Sequence, residues 1–430
     1  MTTIYESLEE YRIHRNIICI DLKSFFASVE CADLNLDPFK TPLVVADIER
    51  GTGTICLALA PYLREKGLPG RLRVFELPRG EDYIFRKPRM RRYLEMSAKI
   101  VSVYLKYVSK DDIHIYSVDE CFLDFTNYRK MYSNKSMVDI AKMIVKNVYD
   151  ETHIYATAGI GPNMLLAKLA MDIEAKKNKS QIAEWTYNDV ETKLWNITPL
   201  SKMWGIGRKH EKRLNDMGFR KVGDIAKSTP DRLKAEFGVL GEELWYHTNG
   251  IDQSLIQDKK KYKPVSRSFS VGQVLFQDYY RDTIPQIILE MSDVLSARLR
   301  ATNKKITVVH LAIGYNHDSG YTSFSRQKKL NEPINLGSDI AKECMAIFNK
   351  NYHDEPIRRV NVAVSGLTEN DGIQLSLFED NEKKVKEEML SNTLDKIKRK
   401  YGKNSVRRAS TELEHSTAKS RNKQIGGHNG

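Results

Sequence analysis

The sequence predicts a multidomain α+β protein, and three observations support this prediction. Strand-like and helix-like segments alternate around two acidic motifs in residues 14–185. Short helices separated by glycines follow in residues 186–257. After a lysine-rich segment, a β-α-β-β-α-β order restarts in residues 264–368, which is typical of a separate domain. A length of 430 residues also predicts about three domains.

Composition narrows the class of protein. The net charge of +12 and the pI of about 9.2 favour a polyanionic partner, above all nucleic acid, although a merely basic surface is the alternative. No apolar run approaches the ~20 residues that span a bilayer, so no membrane association is expected. The five cysteines form no C-x-x-C pair, which predicts reduced core thiols in a cytoplasmic protein.

The first acidic motif is an apolar hairpin over residues 113–125 with Asp119 and Glu120 at its centre. An acid pair on a buried hairpin is costly unless a positive charge neutralises it. Mg²⁺ suits this position because it takes one or two protein carboxylates and leaves its other positions to water and phosphates. A hairpin whose bend is acidic without binding a metal is the alternative.

The second acidic motif follows an apolar run of strand length at residues 16–20, which ends in Asp21. A helix-like stretch with Phe25 and Phe26 comes next. A carboxylate at the end of a buried strand is a usual place for a catalytic group, although strand ends are often polar for other reasons.

The middle of the chain contains a glycine-rich connection that resembles a helix-hairpin-helix. Gly205 and Gly207 would let backbone amides approach a phosphate oxygen at a helix N-terminus, with Arg208 and Lys209 beside them. Such hairpins grip the DNA backbone without reading sequence. An ordinary glycine-rich helix connection is the alternative.

In the second α+β domain, Arg326 and Lys328 suit a sheet that faces DNA, and a solvated face is the alternative. The tail after this domain is polar, with one isolated apolar peptide at residues 374–378. Residues 382–401 are predicted to form a helix. Residues 415–430 are polar and glycine-rich, which predicts disorder.

Two stretches together resemble the metal-site motifs of the Y-family (translesion) DNA polymerases. They are residues 21–30, DLKSFFASVE, and residues 116–124, YSVDECFLD. The resemblance extends over residues 14–378 with the motifs in the family's order. The runs at 174–177 and 182–185 are more similar to the error-prone branch, which includes the DNA polymerase V catalytic subunit and bacterial UV-damage repair polymerases, than to polymerase IV.

This resemblance implies a right-hand polymerase with palm, fingers, helical thumb and β-α-β-β-α-β little finger. The implied boundaries are the palm at 14–38 and 93–185, the fingers at 39–92, the thumb at 186–257, a linker at 258–263, the little finger at 264–368 and a C-terminal tail at 369–430.

The resemblance also implies the site residues. Asp21, Asp119 and Glu120 match the catalytic carboxylates, which with the Leu22 carbonyl hold two Mg²⁺ ions. The implied nucleotide-binding residues are Phe25, Phe26, Arg64 and Lys176, with Phe26 as the steric gate that excludes a 2′-hydroxyl. Two departures from the family pattern concern these residues. Pro61 replaces the usual aromatic before Arg64, with Tyr62 one step later, and Lys176 follows a one-residue insertion relative to polymerase IV.

Primer-template DNA, an incoming dNTP and the bacterial sliding clamp are the implied partners of a monomeric, nucleoid-associated enzyme. The clamp-binding peptide would consist of Gln374, Leu375, Leu377 and Phe378. The implied function is low-fidelity translesion DNA synthesis in the SOS response. Two other classes remain open from the sequence: a palm-fold nucleotide cyclase, and a catalytically inactive clamp- and DNA-binding repair factor.

Overall fold

The computed structural model describes residues 8–262, 264, 267–370 and 381–429. The chain divides into two compact units, Met1–Tyr262 and Lys263–Asn429. The division falls within the predicted linker. The beginning of that segment is anchored to the first unit, because Lys259 Nζ donates to the Ile113 carbonyl at 2.5 Å.

The first unit contains eight strands among its described residues. They are β1 Ile17–Leu22, β2 Leu43–Val45, β3 Ala58–Leu59, β4 Ile84–Arg86, β5 Ile113–Ile115, β6 Glu120–Asp124, β7 Ala156–Gly161 and β8 Ile182–Glu184.

Its α-helices are α1 Phe25–Asp33, α2 Pro61–Glu65, α3 Met90–Tyr104, α4 Met137–Thr152, α5 Met164–Leu169, α6 Asp189–Thr192, α7 Arg208–Asp216, α8 Val222–Ala226, α9 Pro230–Phe237 and α10 Val239–Thr248. A π-helical turn, Ala170–Ala175, continues α5.

The central sheet has the strand order β5-β6-β1-β7-β8. Strand β1 is antiparallel to both β6 and β7, so the two acidic motifs lie on adjacent strands in the middle of the sheet. One face packs against α3 and α4 in a large apolar core. The opposite face, which includes Cys19 and Phe122, packs against Ala167 of α5 and Met171 of the π turn.

Strand β7 and the helix that follows it approach each other unusually closely. A Cβ atom added to Gly159 would lie 2.1 Å from the Ala167 carbonyl oxygen and 2.4 Å from the Met171 nitrogen. Because real Cβ atoms do not come so close to backbone atoms, this strand position requires glycine. The missing side chain lets α5 and the π turn lie directly against the sheet.

The remainder of the first unit consists of smaller structures. Strands β3-β2-β4 form a three-stranded sheet in which β2 is antiparallel to β3 and parallel to β4. The segment that contains α6 to α10 is helical, and its apolar side chains form one core with Leu165 and Leu166 of α5.

The second unit confirms the predicted β-α-β-β-α-β order. Its elements are β9 Ser268–Tyr279, α11 Ile284–Ala301, β10 Lys304–Tyr315, β11 Ser323–Ile334, α12 Gly337–Asn351 and β12 Ile357–Glu369. The antiparallel sheet has the order β11-β10-β12-β9. Helices α11 and α12 contribute to one apolar core with all four strands.

The C-terminal segment is more ordered than predicted. Helix α13, Asn381–Tyr401, agrees with the predicted helix, and it is followed by α14 Ala418–Arg421, β13 Gln424–Ile425 and β14 His428–Asn429. For residues 415–429 the prediction of disorder was wrong, and Gly430 lies outside the described residues. Ser416 Oγ donates to the buried Glu290 carboxylate at 2.6 Å, so this polar tail helps to satisfy a buried acid of the second unit.

All five cysteines are buried and free, as predicted: Cys19, Cys31, Cys56, Cys121 and Cys344. Within the described ranges, no helix has the length and apolar character needed to cross a membrane.

Candidate active site

The register of the central strands brings the three predicted acids into one region. Asp21 on β1 lies directly opposite Glu120, the first residue of β6. Asp119 precedes β6, and its carbonyl accepts a hydrogen bond from the Leu22 amide at 2.9 Å. Its carboxylate accepts a hydrogen bond from Ser117 Oγ at 2.5 Å. Residues about 100 positions apart in sequence are therefore neighbours through backbone pairing alone.

Two lysines contact two of these acids. Lys168 Nζ lies 2.7 Å from Glu120 Oε2, and both side chains are 8% exposed. Lys176 Nζ lies 3.3 Å from Asp21 Oδ1. The buried Cys19 thiol also donates to Glu120, at 3.4 Å. A buried carboxylate without such partners is strongly destabilising, so the lysines make the acids compatible with a folded sheet.

The Asp21 carboxyl has a raised pKa in spite of its lysine partner. Burial raises this pKa most, the Lys176 ammonium opposes the effect of burial, and the charges of Asp119 and Glu120 raise the pKa further, to about 6. The folded protein therefore disfavours the ionised form of Asp21, mainly because the carboxyl is buried.

Both lysines lie on one helical segment, whose π turn has a structural role. Lys168 is in α5, and Lys176 follows the π turn, with its amide bonded to the Met171 carbonyl five residues back at 3.1 Å. A π turn holds one more residue than an α turn. The π turn lies between Lys168 and Lys176, and the Lys176 ammonium reaches Asp21. The one-residue insertion relative to polymerase IV stays a prediction.

Asp172, in the π turn, was missed from the sequence. It lies between the two lysines and contacts both, at 3.0 Å from Lys168 and 2.8 Å from Lys176. The spacing of Lys168, Asp172 and Lys176 at four-residue intervals on a predicted helix is the signal that indicates these pairs.

The acids fit a divalent cation by their chemistry. Within the described ranges, no group of three or more His, Cys, Asp and Glu side chains forms a ready metal-binding cluster. Asp21, Asp119 and Glu120 nevertheless offer only oxygen donors, the preferred ligands of a hard cation such as Mg²⁺. A cation beside Asp21 would favour its ionised form and so oppose the effect of burial on its pKa. The Leu22 carbonyl stays a predicted ligand.

The two predicted nucleotide-binding phenylalanines are at the start of α1. Phe25 is buried, whereas Phe26 is only partly buried and stacks on Tyr93 with ring centroids 4.4 Å apart. The Tyr93 hydroxyl donates to the buried Glu30 carboxylate at 2.8 Å, which fixes the ring beneath Phe26. Tyr93 was not identified from the sequence because it comes from a distant helix, α3.

Arg64 lies in the segment with the unusual Pro61. Pro61 is buried at the first position of α2, and the Tyr62 hydroxyl donates to Glu81 at 3.0 Å. The exposed Arg64 guanidinium donates to the Leu68 carbonyl of the same segment. Its contact with a triphosphate stays a prediction.

The predicted helix-hairpin-helix glycines lie before α7. Gly205 has a φ of +92°, a left-handed conformation that favours glycine, and Gly207 is the N-cap of α7. Arg208 and Lys209 begin the helix and are exposed. Open, unshielded amides at a helix N-terminus are suited to a phosphate oxygen.

Trp204, next to this hairpin, connects it to the turn at residues 116–120, which contains Asp119. Its indole N–H donates to the Tyr116 hydroxyl at 3.2 Å, and the two rings meet edge to face at 5.7 Å. The Tyr116 amide in turn donates to the Glu120 carbonyl at 3.0 Å. The sequence did not predict that hydrogen bonds link Trp204, Tyr116 and Glu120.

In the second unit, Arg326 and Lys328 are exposed on β11, which is an edge strand. Lys328 forms an ion pair with Glu343 at 2.5 Å. Arg358, another basic residue of this sheet, forms an ion pair with Asp278 at 2.5 Å. Binding of DNA by Arg326 and Lys328 stays a prediction.

The predicted clamp-binding residues Gln374, Leu375, Leu377 and Phe378 lie outside the described residues.

Comparison with known families finds matches for three parts of the chain: the segment that carries the acidic residues, the helix-hairpin-helix and the second α+β unit. The impB/mucB/samB family matches residues 20–172, its C-terminal domain matches 266–377, and the helix-hairpin-helix motif of the same family matches 187–219. The chain belongs to this family, which is the Y family of DNA polymerases. The match confirms the resemblance found in the sequence.

Individual relatives are similar over nearly the whole chain. The UV-damage repair protein UvrX of Bacillus subtilis (strain 168) is 37% identical over 417 residues, covering 96% of this chain and 97% of that protein. DNA polymerase IV 2 of the same strain is 33% identical over 422 residues, covering 96% and 98%. A solved Y-family DNA polymerase chimera shares the fold, with a TM-score of 0.65 at 20% identity over 83% of this chain and all of the chimera.

The raised pKa of Asp21 predicts a stability effect. Measured by urea unfolding in EDTA at pH 8, Asp21→Asn should raise the free energy of unfolding by about 1–3 kcal/mol, because one pKa unit corresponds to about 1.4 kcal/mol. The Asp21 pKa is about 6 when folded against 3.8 ordinarily, so the folded state favours the protonated form. The gain should shrink as the pH falls through 6 and be nearly absent at pH 4.

The matched control is Asp150→Asn, which changes an exposed acid that pairs with Lys146 on α4. It should show no comparable gain at pH 8. A gain for Asp21→Asn that is equal at pH 4 and pH 8 would contradict the electrostatic explanation.

Proposed function

We propose that this DNA-directed DNA polymerase performs low-fidelity translesion synthesis past damaged bases, by two-metal nucleotidyl transfer. The observation that supports this most directly is the placement of Asp21 opposite Glu120 on adjacent central strands, with Asp119 beside them. Membership of the Y family supplies the reaction class. The predicted palm, fingers, thumb and little finger boundaries are part of the same proposal.

In this proposal Asp21, Asp119, Glu120 and the Leu22 carbonyl hold the divalent cations. Two bound Mg²⁺ ions would activate the primer 3′-hydroxyl and stabilise the leaving pyrophosphate. The protein contributes a rigid position for each carboxylate: cross-strand pairing fixes Asp21 and Glu120, and the Leu22 amide and Ser117 hydroxyl fix Asp119.

Four residues would bind the incoming dNTP. Phe26, held by its stack on Tyr93, would lie under the sugar and exclude a 2′-hydroxyl, with Phe25 anchoring the start of α1 in the core. The ammonium of Lys176 and the exposed guanidinium of Arg64 would bind the triphosphate.

Primer-template DNA would be held through its phosphates in both units. Gly205 and Gly207 would present amides, with Arg208 and Lys209 as nearby cations. The exposed basic residues of β11, Arg326 and Lys328, would add contacts from the second unit. Contacts of this kind do not depend on base sequence, which suits an enzyme that encounters damage at any position.

The peptide at residues 374–378 is proposed to bind the bacterial sliding clamp. Leu377 and Phe378 would fill an apolar pocket, with Gln374 hydrogen-bonded beside it and Leu375 at the rim. Burial of each large apolar side chain contributes roughly 1.5–3 kcal/mol, which suffices for micromolar binding of a short peptide after ordering costs. Tethering to a clamp on DNA raises the local concentration of the enzyme.

The first prediction from this function concerns chemistry. Asp119→Ala should abolish primer extension with dNTPs and Mg²⁺, because a required carboxylate is lost. DNA binding should survive, since phosphate contacts elsewhere supply the affinity. Asp150→Ala, at an exposed acid on α4, is the control and should retain activity. Extension by Asp119→Ala at a rate near that of the parent would refute the assignment of Asp119 as a catalytic acid. It would support neither the nucleotide cyclase nor the inactive repair factor, because the protein would still extend primers.

The second prediction concerns sugar selection. Phe26→Ala should increase incorporation of ribonucleotides relative to deoxyribonucleotides, because the ring stacked on Tyr93 is removed. Phe26→Tyr keeps a ring and should retain the discrimination. An unchanged ratio of the two kcat/KM values in an active Phe26→Ala enzyme would show that Phe26 only packs the core.

The third prediction concerns the clamp. Leu377→Ala combined with Phe378→Ala should abolish clamp binding in a titration and remove clamp-stimulated synthesis, with basal primer extension intact. Leu413→Ala, at an apolar residue of the C-terminal segment that is 60% exposed, is the matched control and should bind normally. Equal clamp affinity for the double variant and the parent would exclude this peptide as the binding site.

A further inference from the structure

One acidic residue connects the two lysines of the site. Asp172 Oδ2 lies 3.0 Å from Lys168 Nζ, and Asp172 Oδ1 lies 2.8 Å from Lys176 Nζ. Each carboxylate oxygen therefore has its own ammonium partner. Both pairs have four-residue spacing along the same helical segment, where side chains are neighbours.

The outer ends of this arrangement are the acids of the central strands. Lys168 Nζ also contacts Glu120 Oε2 at 2.7 Å, and Lys176 Nζ also contacts Asp21 Oδ1 at 3.3 Å. The five side chains form a continuous series of alternating charges that begins and ends at a catalytic acid. Asp172 is at its centre and contacts neither catalytic acid.

Exposure distinguishes the members of this series. The Lys168 side chain is 8% exposed, whereas Asp172 and Lys176 are 30% and 37% exposed. Lys168 is therefore a fixed internal partner of Glu120. The Lys176 side chain is the more exposed of the two lysines, so its ammonium is the one that we assign to a phosphate.

We propose that Asp172 is a positioning residue that fixes the Lys176 ammonium for the phosphates of the incoming nucleotide. The inference rests on the proposed function, in which Lys176 binds the triphosphate. A lysine side chain has a flexible four-carbon stem, and ordering it opposes binding. Asp172 orders it before the nucleotide arrives, so less of this entropy is lost on binding.

The π turn makes this positioning possible. Lys176 directly follows this turn, and its ammonium contacts both Asp172 and Asp21. Close packing of the π turn on Gly159 holds Met171, the neighbour of Asp172, against β7. The position of Asp172 is therefore determined by the sheet itself.

The experiment uses the full-length protein with primer-template DNA. Asp172→Asn removes the charge with almost no change in shape, and Asp172→Glu keeps the charge. Asp150→Asn is the matched control, because Asp150 forms an exposed pair of the same spacing with Lys146 at 2.5 Å, on α4. Urea unfolding of each variant establishes that it is folded. The readouts are KM and kcat for dNTP, and dNTP affinity of the complex with a dideoxy-terminated primer, where no chemistry occurs.

Asp172→Asn is expected to raise KM and the dissociation constant for dNTP by about five- to tenfold, which is in the range of coupling between contacting charges. The value of kcat should change less than about twofold. Affinity for primer-template DNA should be unchanged. Asp172→Glu should restore most of the dNTP affinity, and Asp150→Asn should match the parent.

A double-mutant cycle tests whether Asp172 acts through Lys176. Lys176→Ala alone should weaken dNTP binding, and adding Asp172→Asn to it should cause no further loss. A purely structural role of Asp172 would instead give the same loss in both backgrounds, which would overturn the inference. If Asp172→Asn lowers KM, Asp172 competes with the phosphates for Lys176, and the inference is also wrong.

Failure of this inference is distinguishable from failure of the proposed function. If the parent extends primers and Asp119→Ala does not, the polymerase assignment stands whatever Asp172→Asn does. If Lys176→Ala leaves dNTP affinity unchanged in that active enzyme, the positioning role of Asp172 is excluded alone. If the parent extends no primer, the proposed function fails first.

Discussion

The structure of the first unit depends on the partial neutralisation of carboxylates on two buried central strands. Asp21 and Glu120 face each other across β1 and β6, and unpaired charges in such a position are strongly destabilising. Lys168 and Lys176 supply counter-charges from a single helical segment. Even beside these lysines, burial keeps the pKa of Asp21 raised, at about 6. A cation next to the carboxylate would offset this cost of burial.

This charge arrangement constrains the packing around it. The lysines reach the acids because α5 and the π turn lie directly on β7, and only a glycine at position 159 allows that approach. Trp204, next to the glycine-rich hairpin before α7, contacts Tyr116 and so connects this hairpin to the strand that begins at Glu120. The acidic residues are thus held through contacts with two separate segments of the first unit.

Much of the fold and the principal acids were predictable, since they depend on local patterns. Asp119 and Glu120 are adjacent in sequence within an apolar hairpin, and the β-α-β-β-α-β order follows from hydrophobic periodicity. The missed features depend on partners distant in sequence. The order of the tail around Ser416 could not be predicted because its partner, Glu290, is 126 residues away and buried.

The same reasoning applies within the site. The resemblance to the family located Lys176, but the π turn before it, which packs against the sheet, is not visible as a local pattern. Tyr93 was missed for a similar reason, because its stack on Phe26 joins two helices that are separated by three strands in sequence.

The burial of all five cysteines has a consequence for the reactivity of their thiols. Burial raises the pKa of every one of these thiols, to about 11 at Cys56 and about 12 at Cys31, Cys121 and Cys344, and well above the ordinary value at Cys19. Oxidants react with the thiolate rather than the thiol. Cys19 donates to Glu120 and Cys121 follows Glu120 in the chain, so the protonated state of both thiols disfavours oxidation beside the candidate active site.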